Sequence, residues 1–332
     1  MKTFNKTLLS LTMIGFGLFS TNLLGAQGVR FTIVDGDVSQ KYAKMISTSL
    51  EDTGFVLSDP HERINDAYAK RYGNPEDPDY DKDEWNVNLD NLGFYTIAHD
   101  EKLNKLLKVA PELGGFSPFN HLIYKNKSEN KTYVGHLDPN TMLDIVGVKD
   151  SNVREEFVSL FDPLDKWITD ELGGEVKTTT FDSLSAKPMM TYEFEFDRPE
   201  DITEFTATFQ EEFEAAFEEN KYIIAGFKDF KEGYEDLEME FEEYDAYWVY
   251  SLCHFTFSYN MFNKGRPDTG VFAPCSMYMY IKEGTNKLVI GMPKLSNWIA
   301  VGSVKDRAKI EWTKKIDSEI MSIMKSLGAR EI

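Results

Sequence analysis

The stretch from residue 191 to 327 shows two alternating apolar periods. From Thr191 to Phe196 every second side chain is apolar, the mark of a half-buried strand. Ile202, Phe205, Phe209, Phe213, Ala216 and Phe217 then recur at helical spacing, so one face of a helix is apolar and the opposite face acidic. Four more strand-like runs follow, at Tyr222–Phe227, Tyr247–Phe257, Cys275–Ile281 and Lys287–Met292. A last amphipathic stretch, Asp306 to Leu327, stops at Gly328, a helix-ending residue. The same sequence of periods is legible earlier, opening with a strand at Arg30–Val34 and closing with a helix at Val153–Leu172. The expected order is strand, helix, four strands, helix, twice over. Short turns between the later strands make them antiparallel neighbours with helices on one face, so the fold class is α+β and not a parallel, doubly wound sheet.

The two stretches also match residue by residue. Phe116-Ser-Pro-Phe-Asn-His-Leu-Ile-Tyr124 aligns with Phe272-Ala-Pro-Cys-Ser-Met-Tyr-Met-Tyr280, and the register runs on through Gly135/Gly291 to Asp150/Asp306. Tyr95-Thr-Ile-Ala-His99 aligns with Tyr250-Ser-Leu-Cys-His254, and Leu50 to Leu57 with Phe217 to Ile224. A period this long implies a duplicated domain, whereas solenoid units run about 20–50 residues. The boundaries it sets are 27–180 and 181–332, with an acidic insertion at 58–91 in the first copy.

Composition narrows the functional classes. The 332 residues carry 36 Lys+Arg against 56 Asp+Glu, a net charge of −20, with 42% apolar and 14% aromatic residues. A full core can be buried. A surface that grips phosphate needs the opposite charge, so nucleic acid is excluded as a partner. The acid is localised: residues 197–245 hold 18 Asp/Glu and 4 Lys/Arg, and residues 58–91 hold 10 and 4. Such a surface either solubilises the chain or docks a basic protein partner. At the start, Lys2 and Lys6 precede a short apolar run from Leu8 to Phe19 and the sequence Leu24-Gly-Ala26. That is the layout of a cleavable signal over residues 1–26, cut after Ala26, and implies a periplasmic or secreted protein with no membrane span after cleavage.

Cys253, then Val271-Phe-Ala-Pro-Cys-Ser-Met-Tyr-Met-Tyr280 and a glycine-containing turn, resemble the uncharacterised DUF302 family, whose members carry a strand-end Cys and then an apolar-Pro-Cys strand. The resemblance implies a TATA-binding-protein-like α+β fold and names no reaction. Two departures stand out. The family has Asn-Pro after its first Cys where this chain has His254-Phe255, and the first copy has Ala98 and Phe119 at the cysteine positions. Any role of the cysteine pair therefore belongs to the second copy. A saddle of this class suggests DNA, but the acidic charge opposes it.

Candidate chemistry lies in the hairpins. Centring the second hairpin on Gly284-Thr285 sets Met277 opposite Met292 and Cys275 opposite Lys294; centring the first on Ser128-Glu129 sets His121 opposite His136. Opposed side chains on one sheet face stand close enough to share a ligand. Cys253, His254, Cys275, Met277 and Met292 make a soft set suited to copper(I) or haem, and His99, His121 and His136 a set suited to zinc or copper. The competing reading places the same residues in the core, and no cofactor is required. Cys253 and Cys275 are open to three states: a disulfide, a reduced buried pair, or a redox pair. Asp77-Pro-Asp-Tyr-Asp-Lys-Asp-Glu84 has alternating carboxylates but lacks the glycine and bidentate glutamate of a calcium loop. No nucleophile elbow or phosphate loop occurs. The first reading is a non-enzymatic binding module for a small ligand or soft metal; the alternatives are a thiol redox protein or an acidic interaction module.

Overall fold

The computed structural model describes residues 25–76, 78, 80 and 88–332. Residues 1–24 of the expected signal and most of the carboxylate run 77–84 lie outside the described residues. The chain runs β1 (Ala26–Asp35), α1 (Ser39–Ser49), β2 (Val56–His61), α2 (Ile64–Tyr72), β3 (Leu89–Ala98), α3 (Asp100–Val109), β4 (Phe119–Asn126), β5 (Lys131–Leu137), α4 (Pro139–Val146), α5 (Ser151–Ser159), α6 (Phe161–Leu172) and β6 (Glu175–Phe181). The second half continues with β7 (Met189–Glu195), α7 (Ile202–Glu219), β8 (Tyr222–Asp229), α8 (Phe230–Asp236), β9 (Tyr244–His254), α9 (Phe255–Ser258), β10 (Cys275–Lys282), β11 (Lys287–Pro293), α10 (Ser296–Val301), α11 (Arg307–Ser326) and β12 (Arg330–Glu331).

The fold is α+β, two six-stranded antiparallel sheets with orders β2-β3-β4-β5-β1-β6 and β8-β9-β10-β11-β7-β12. Strand for strand these are one topology. The expected order is incomplete in both halves, since each half adds short helices after its second, third and fifth strands and a sixth edge strand, β6 or β12. The expected closing helix 153–172 is two helices. Pro163 has no N–H to give Ser159, and its ring crowds that carbonyl, so α5 ends and α6 restarts around it. The expected strand 247–257 ends at His254, because the His254 ring Nδ1 accepts from Phe257 N at 3.3 Å and caps a helical turn instead.

Local chemistry fixes the helices that cover each sheet. Asp150 and Asp306, which are equivalent in the repeat, are both N-caps: Asp150 accepts from Asn152 N and Val153 N, and Asp306 from Ala308 N and Lys309 N. α7 is capped by Asp201 and buries Phe209, Phe213 and Phe217. Tyr250 of β9 stacks on Phe213 with ring centroids 4.7 Å apart, so the Tyr250 side of the second sheet faces the helices. In the first half Tyr42 of α1 meets Tyr95 of β3 at 5.2 Å on the corresponding side.

The opposite faces meet at a seam between the halves. The segment Pro111–Phe116 packs on β10 and its counterpart Pro267–Phe272 on β4. Gly114 is required there, since a Cβ would stand 2.2 Å from the Tyr247 hydroxyl and 2.6 Å from Tyr278 Cβ. Across the seam Asn120 Nδ2 donates to Pro274 O at 2.8 Å, Tyr244 to Leu107 O at 2.7 Å and Asn88 Nδ2 to Asn263 O at 2.8 Å. The bonds to main-chain carbonyls satisfy polar groups that the apolar contact would otherwise strand.

Candidate functional site

Register sets what shares a face. β4 and β5 pair Leu122 with Gly135, and β10 and β11 pair Tyr278 with Gly291. One step along each ladder, His121 stands beside His136 and Met277 beside Met292. The neighbouring strands extend both into rows. In the first half Arg30 pairs with His136 and Tyr95 with His121; in the second Met190 pairs with Met292 and Tyr250 with Met277. Both rows lie under the helices.

The first row is a polar network. Asp165 Oδ1 of α6 receives Arg30 Nη1 and His136 Nε2, each at 2.9 Å, and His136 Nδ1 is 2.8 Å from Leu137 O. Both ring nitrogens of His136 therefore face acceptors. His121, 1% exposed, stands with its ring centroid 5.6 Å from that of His136 and its Nδ1 2.5 Å from the Tyr42 hydroxyl. Burial, with His136 and Arg30 adding, holds the His121 imidazole well below its ordinary range, so it is neutral. Its Nε2 has no hydrogen-bond partner among the described residues. Arg30, Tyr42 and Asp165 escape a reading of the sequence. They reach the histidines through β1 and two helices far away in the chain.

His99 is elsewhere, at the end of β3, where it packs edge-on against Phe55 at 5.4 Å and burial lowers its pKa. His254 makes the same contact with Tyr222 at 5.2 Å. Among the described residues no three His, Cys, Asp or Glu side chains converge as metal ligands. Neither His99, His121 and His136 nor Cys253, His254 and Cys275 is thus assembled as a three-ligand centre.

The cysteines are free thiols and do not form the disulfide that was one of the expected states. The reason is sheet alternation. Cys275 pairs with Leu252, whereas Cys253 pairs with Ile223, so the two thiols leave the sheet on opposite faces. Cys275 points under the helices with Met277 and Met292; Cys253 points to the seam, toward Ser258 Oγ at 3.9 Å. Burial pushes the Cys253 thiol up to about 11 and Cys275 well above its usual range, the opposite of what a nucleophilic or metal-binding thiolate needs.

A cavity of about 30 Å³ lies beside Cys275, between Tyr222, His254, Met292, Trp298 and Ile316. It has room for one water-sized species and none for haem. The equivalent place in the first half holds a ring: Phe119 stands where Cys275 stands in the second, 5.0 Å from Phe161, 5.6 Å from Phe157 and 5.7 Å from Phe55.

The larger opening is at the seam. A cavity of about 250 Å³ takes its walls from His61, Ile64, Tyr68 and Phe94 of the first half and from Ile223 to Ala225, Cys253, Phe255, Ser258, Phe262, Ala273 and Pro274 of the second. Two irregularities make room for it. The β8 ladder slips between Ile224 and Gly226, leaving Ala225 as a bulge, and the chain after α9 runs as a π-helical turn over Tyr259–Asn263. Both features recur at functional sites. At the related junction on the other side, α3 is a regular helix, and Lys228 reaches Asp100 at 2.9 Å while Asn104 Nδ2 donates to Glu240 O at 3.1 Å. The sequence signal for the cavity was only the Cys253-His254-Phe255 departure; its first-half wall carried none.

No described helix is long and apolar enough to cross a membrane. No family model matches the chain, and no curated protein matches it. Among solved structures the chain is similar to an uncharacterised conserved DUF302 protein from Bacillus stearothermophilus, at 16% identity over 41% of this chain and 95% of that one, with a TM-score of 0.33.

Proposed function

We propose that the chain is an exported tandem of two DUF302-like domains, 27–180 and 181–332, that holds a small apolar molecule between them without transforming it. The seam cavity carries the reading: about 250 Å³, apolar on most of its wall and built from both halves. An apolar cavity of about 150 Å³ stays dry and accepts a benzene-sized guest, so this one suits a one- or two-ring body. Support for the tandem comes from the shared strand order and from Asp150 and Asp306 capping equivalent helices. Export rests on Lys2, Lys6, the apolar run and Ala26.

Thermal unfolding with and without toluene tests the binding. A ligand at about 100 times its Kd stabilises the folded state by about 2.7 kcal/mol, a readable rise in Tm. Ala225→Phe, placed on the bulge at the cavity wall, should remove that rise while leaving the unliganded Tm near the wild-type value. A wild-type Tm indifferent to apolar one- and two-ring probes sinks the proposal.

A further inference from the structure

We infer that the first half carries a separate binding site for a small neutral polyol, up to a single sugar ring, in a pocket between α1 and β3 that the second half has closed. The site is distinct from the seam cavity and does not rest on the role proposed there. The pocket measures about 130 Å³ and opens to solvent. That is a little less than the roughly 150 Å³ that encloses benzene, so it admits about one six-membered ring with its substituents in the mouth.

Gly93 makes the room. Tyr95, two residues on, lies under α1, and side chains two apart share a face, so a side chain at position 93 would stand in this pocket. Tyr95 and Tyr250 are equivalent in the repeat, which sets Gly93 against Trp248 and Asn91 against Ala246. The ladders agree, since each strand skips one residue just before this stretch, at Asp90 and at Asp245. Trp248 is fully buried, so the second half holds an indole at the position the first leaves empty. The floor has changed with it. Asn91 is 4% exposed, its amide makes no hydrogen bond among the described residues, and the pocket is where that amide meets solvent. An amide so confined and unpaired is costly, and a guest that bonds it recovers the difference.

Charge and hydrogen-bonding capacity then select the guest. Beside Asn91 on the floor is Tyr95, whose hydroxyl burial and the nearby Glu62 carboxylate keep protonated. Gln40, Glu62 and Arg63 form an exposed rim. Arg63 gives Nε and Nη2 to Asp66 at 2.5 and 2.9 Å, which spends the fork that would take a carboxylate. Pairing with a charge on an exposed rim is worth little, and the floor is neutral. A charged guest would lose its water there and gain no counter-ion. A hydroxyl both gives and accepts a hydrogen bond, so a polyol can meet the Asn91 amide, the Tyr95 hydroxyl and the Gln40 amide together. A plain hydrocarbon leaves Asn91 unpaired.

The test titrates the full chain by calorimetry at neutral pH with erythritol, D-glucose, lactate and alanine. At least one of the two polyols should bind saturably, with lactate and alanine about tenfold weaker or silent. Asn91→Ala copies Ala246 of the second half. It should weaken polyol binding about fivefold, the factor one neutral hydrogen bond supplies, with Tm at or above the wild-type value because no bond within the protein is lost. Ala43→Trp, which fills the pocket from α1, should abolish polyol binding, and Ala225→Phe at the seam should leave it unchanged. Failure of both polyols to bind the wild type, or equal binding of lactate or alanine, overturns the inference. A lower Tm for Asn91→Ala overturns it too, because the amide would then be a structural group. Loss of polyol binding in Ala225→Phe overturns the assignment to this pocket. Toluene binding at the seam is a separate measurement, and neither result decides the other.

Discussion

At one level of the sheet the first half carries Arg30, His136 and His121, tied to Asp165 and Tyr42; the second half carries Met190, Met292 and Met277. By the offset that sets Leu50 on Phe217, Tyr42 corresponds to Phe209, so the helix above each row has changed with it. One topology therefore tolerates two solutions for the same buried layer. A polar row demands a partner for each member, because a half-satisfied network costs more than an apolar one. A methionine row demands only volume. This explains why the polar row draws on two helices and three strands, while the methionine row needs no named partner. The halves trade places in their second difference: Phe119 fills the first half under α6, and Cys275 leaves a small cavity in the second.

The largest effect should come from making the first half hollow. Phe119→Cys removes a ring packed against three others and should cost about 3–4 kcal/mol in urea denaturation, the range for large-to-small changes at fully buried aromatics. A loss under about 1 kcal/mol would mean that the two halves pack alike and that the contrast at this position is superficial.

Next in size is the polar row. Asp165→Ala strands both Arg30 and His136 and should cost about 2–3 kcal/mol, less than for a wholly buried pair because Asp165 keeps 20% side-chain exposure. Converting the row toward the other half, with Tyr42→Phe, His121→Met and His136→Met together, should cost less than that single change. If the triple variant is the less stable one, the network contributes more than satisfied partners, and the comparison of rows fails.

The smallest effect is the share of the pH dependence that His121 contributes. The folded-state pKa of His121 is depressed, so the unfolded chain binds its proton first as pH falls. The stability due to its neutral form is complete above the unfolded value near 6.5 and declines below it, by up to about 1.4 kcal/mol for each pH unit. His99 and His254 shift in the same direction, so the total slope does not isolate it. The difference between wild type and His121→Met does. Denaturation at pH 7.5 and 5.5 should show wild type losing about 1 kcal/mol more than the variant; equal losses would remove His121 from the account.

Much of this is legible in the sequence. The alternation at Thr191–Phe196 and the phenylalanine stripe from Phe205 to Phe217 mark elements by period alone, because burying one face requires it. The hairpin centres gave the pairing of His121 with His136, since a turn of known length leaves one register. The sixth strands were not legible. Arg330–Glu331 and Glu175–Phe181 lie at sheet edges with mostly exposed side chains, so neither needs an apolar alternation. Pro163 marks the break between α5 and α6, inside helical spacing that continues on either side of it.

Sequence by itself determined the α+β class, the matched halves, the net negative charge concentrated in two segments and the rows that hairpin register brings together. These follow from local rules, period, turn length and capping, that act within a few residues. Only tertiary structure decided that Cys253 and Cys275 face opposite sides, that Asp165 and Tyr42 complete the histidine row, and that a cavity opens where Ala225 bulges against the π-helical turn. Each of these depends on contacts between segments tens to hundreds of residues apart, whose relative placement is set by how two whole sheets pack and by no pattern within either segment.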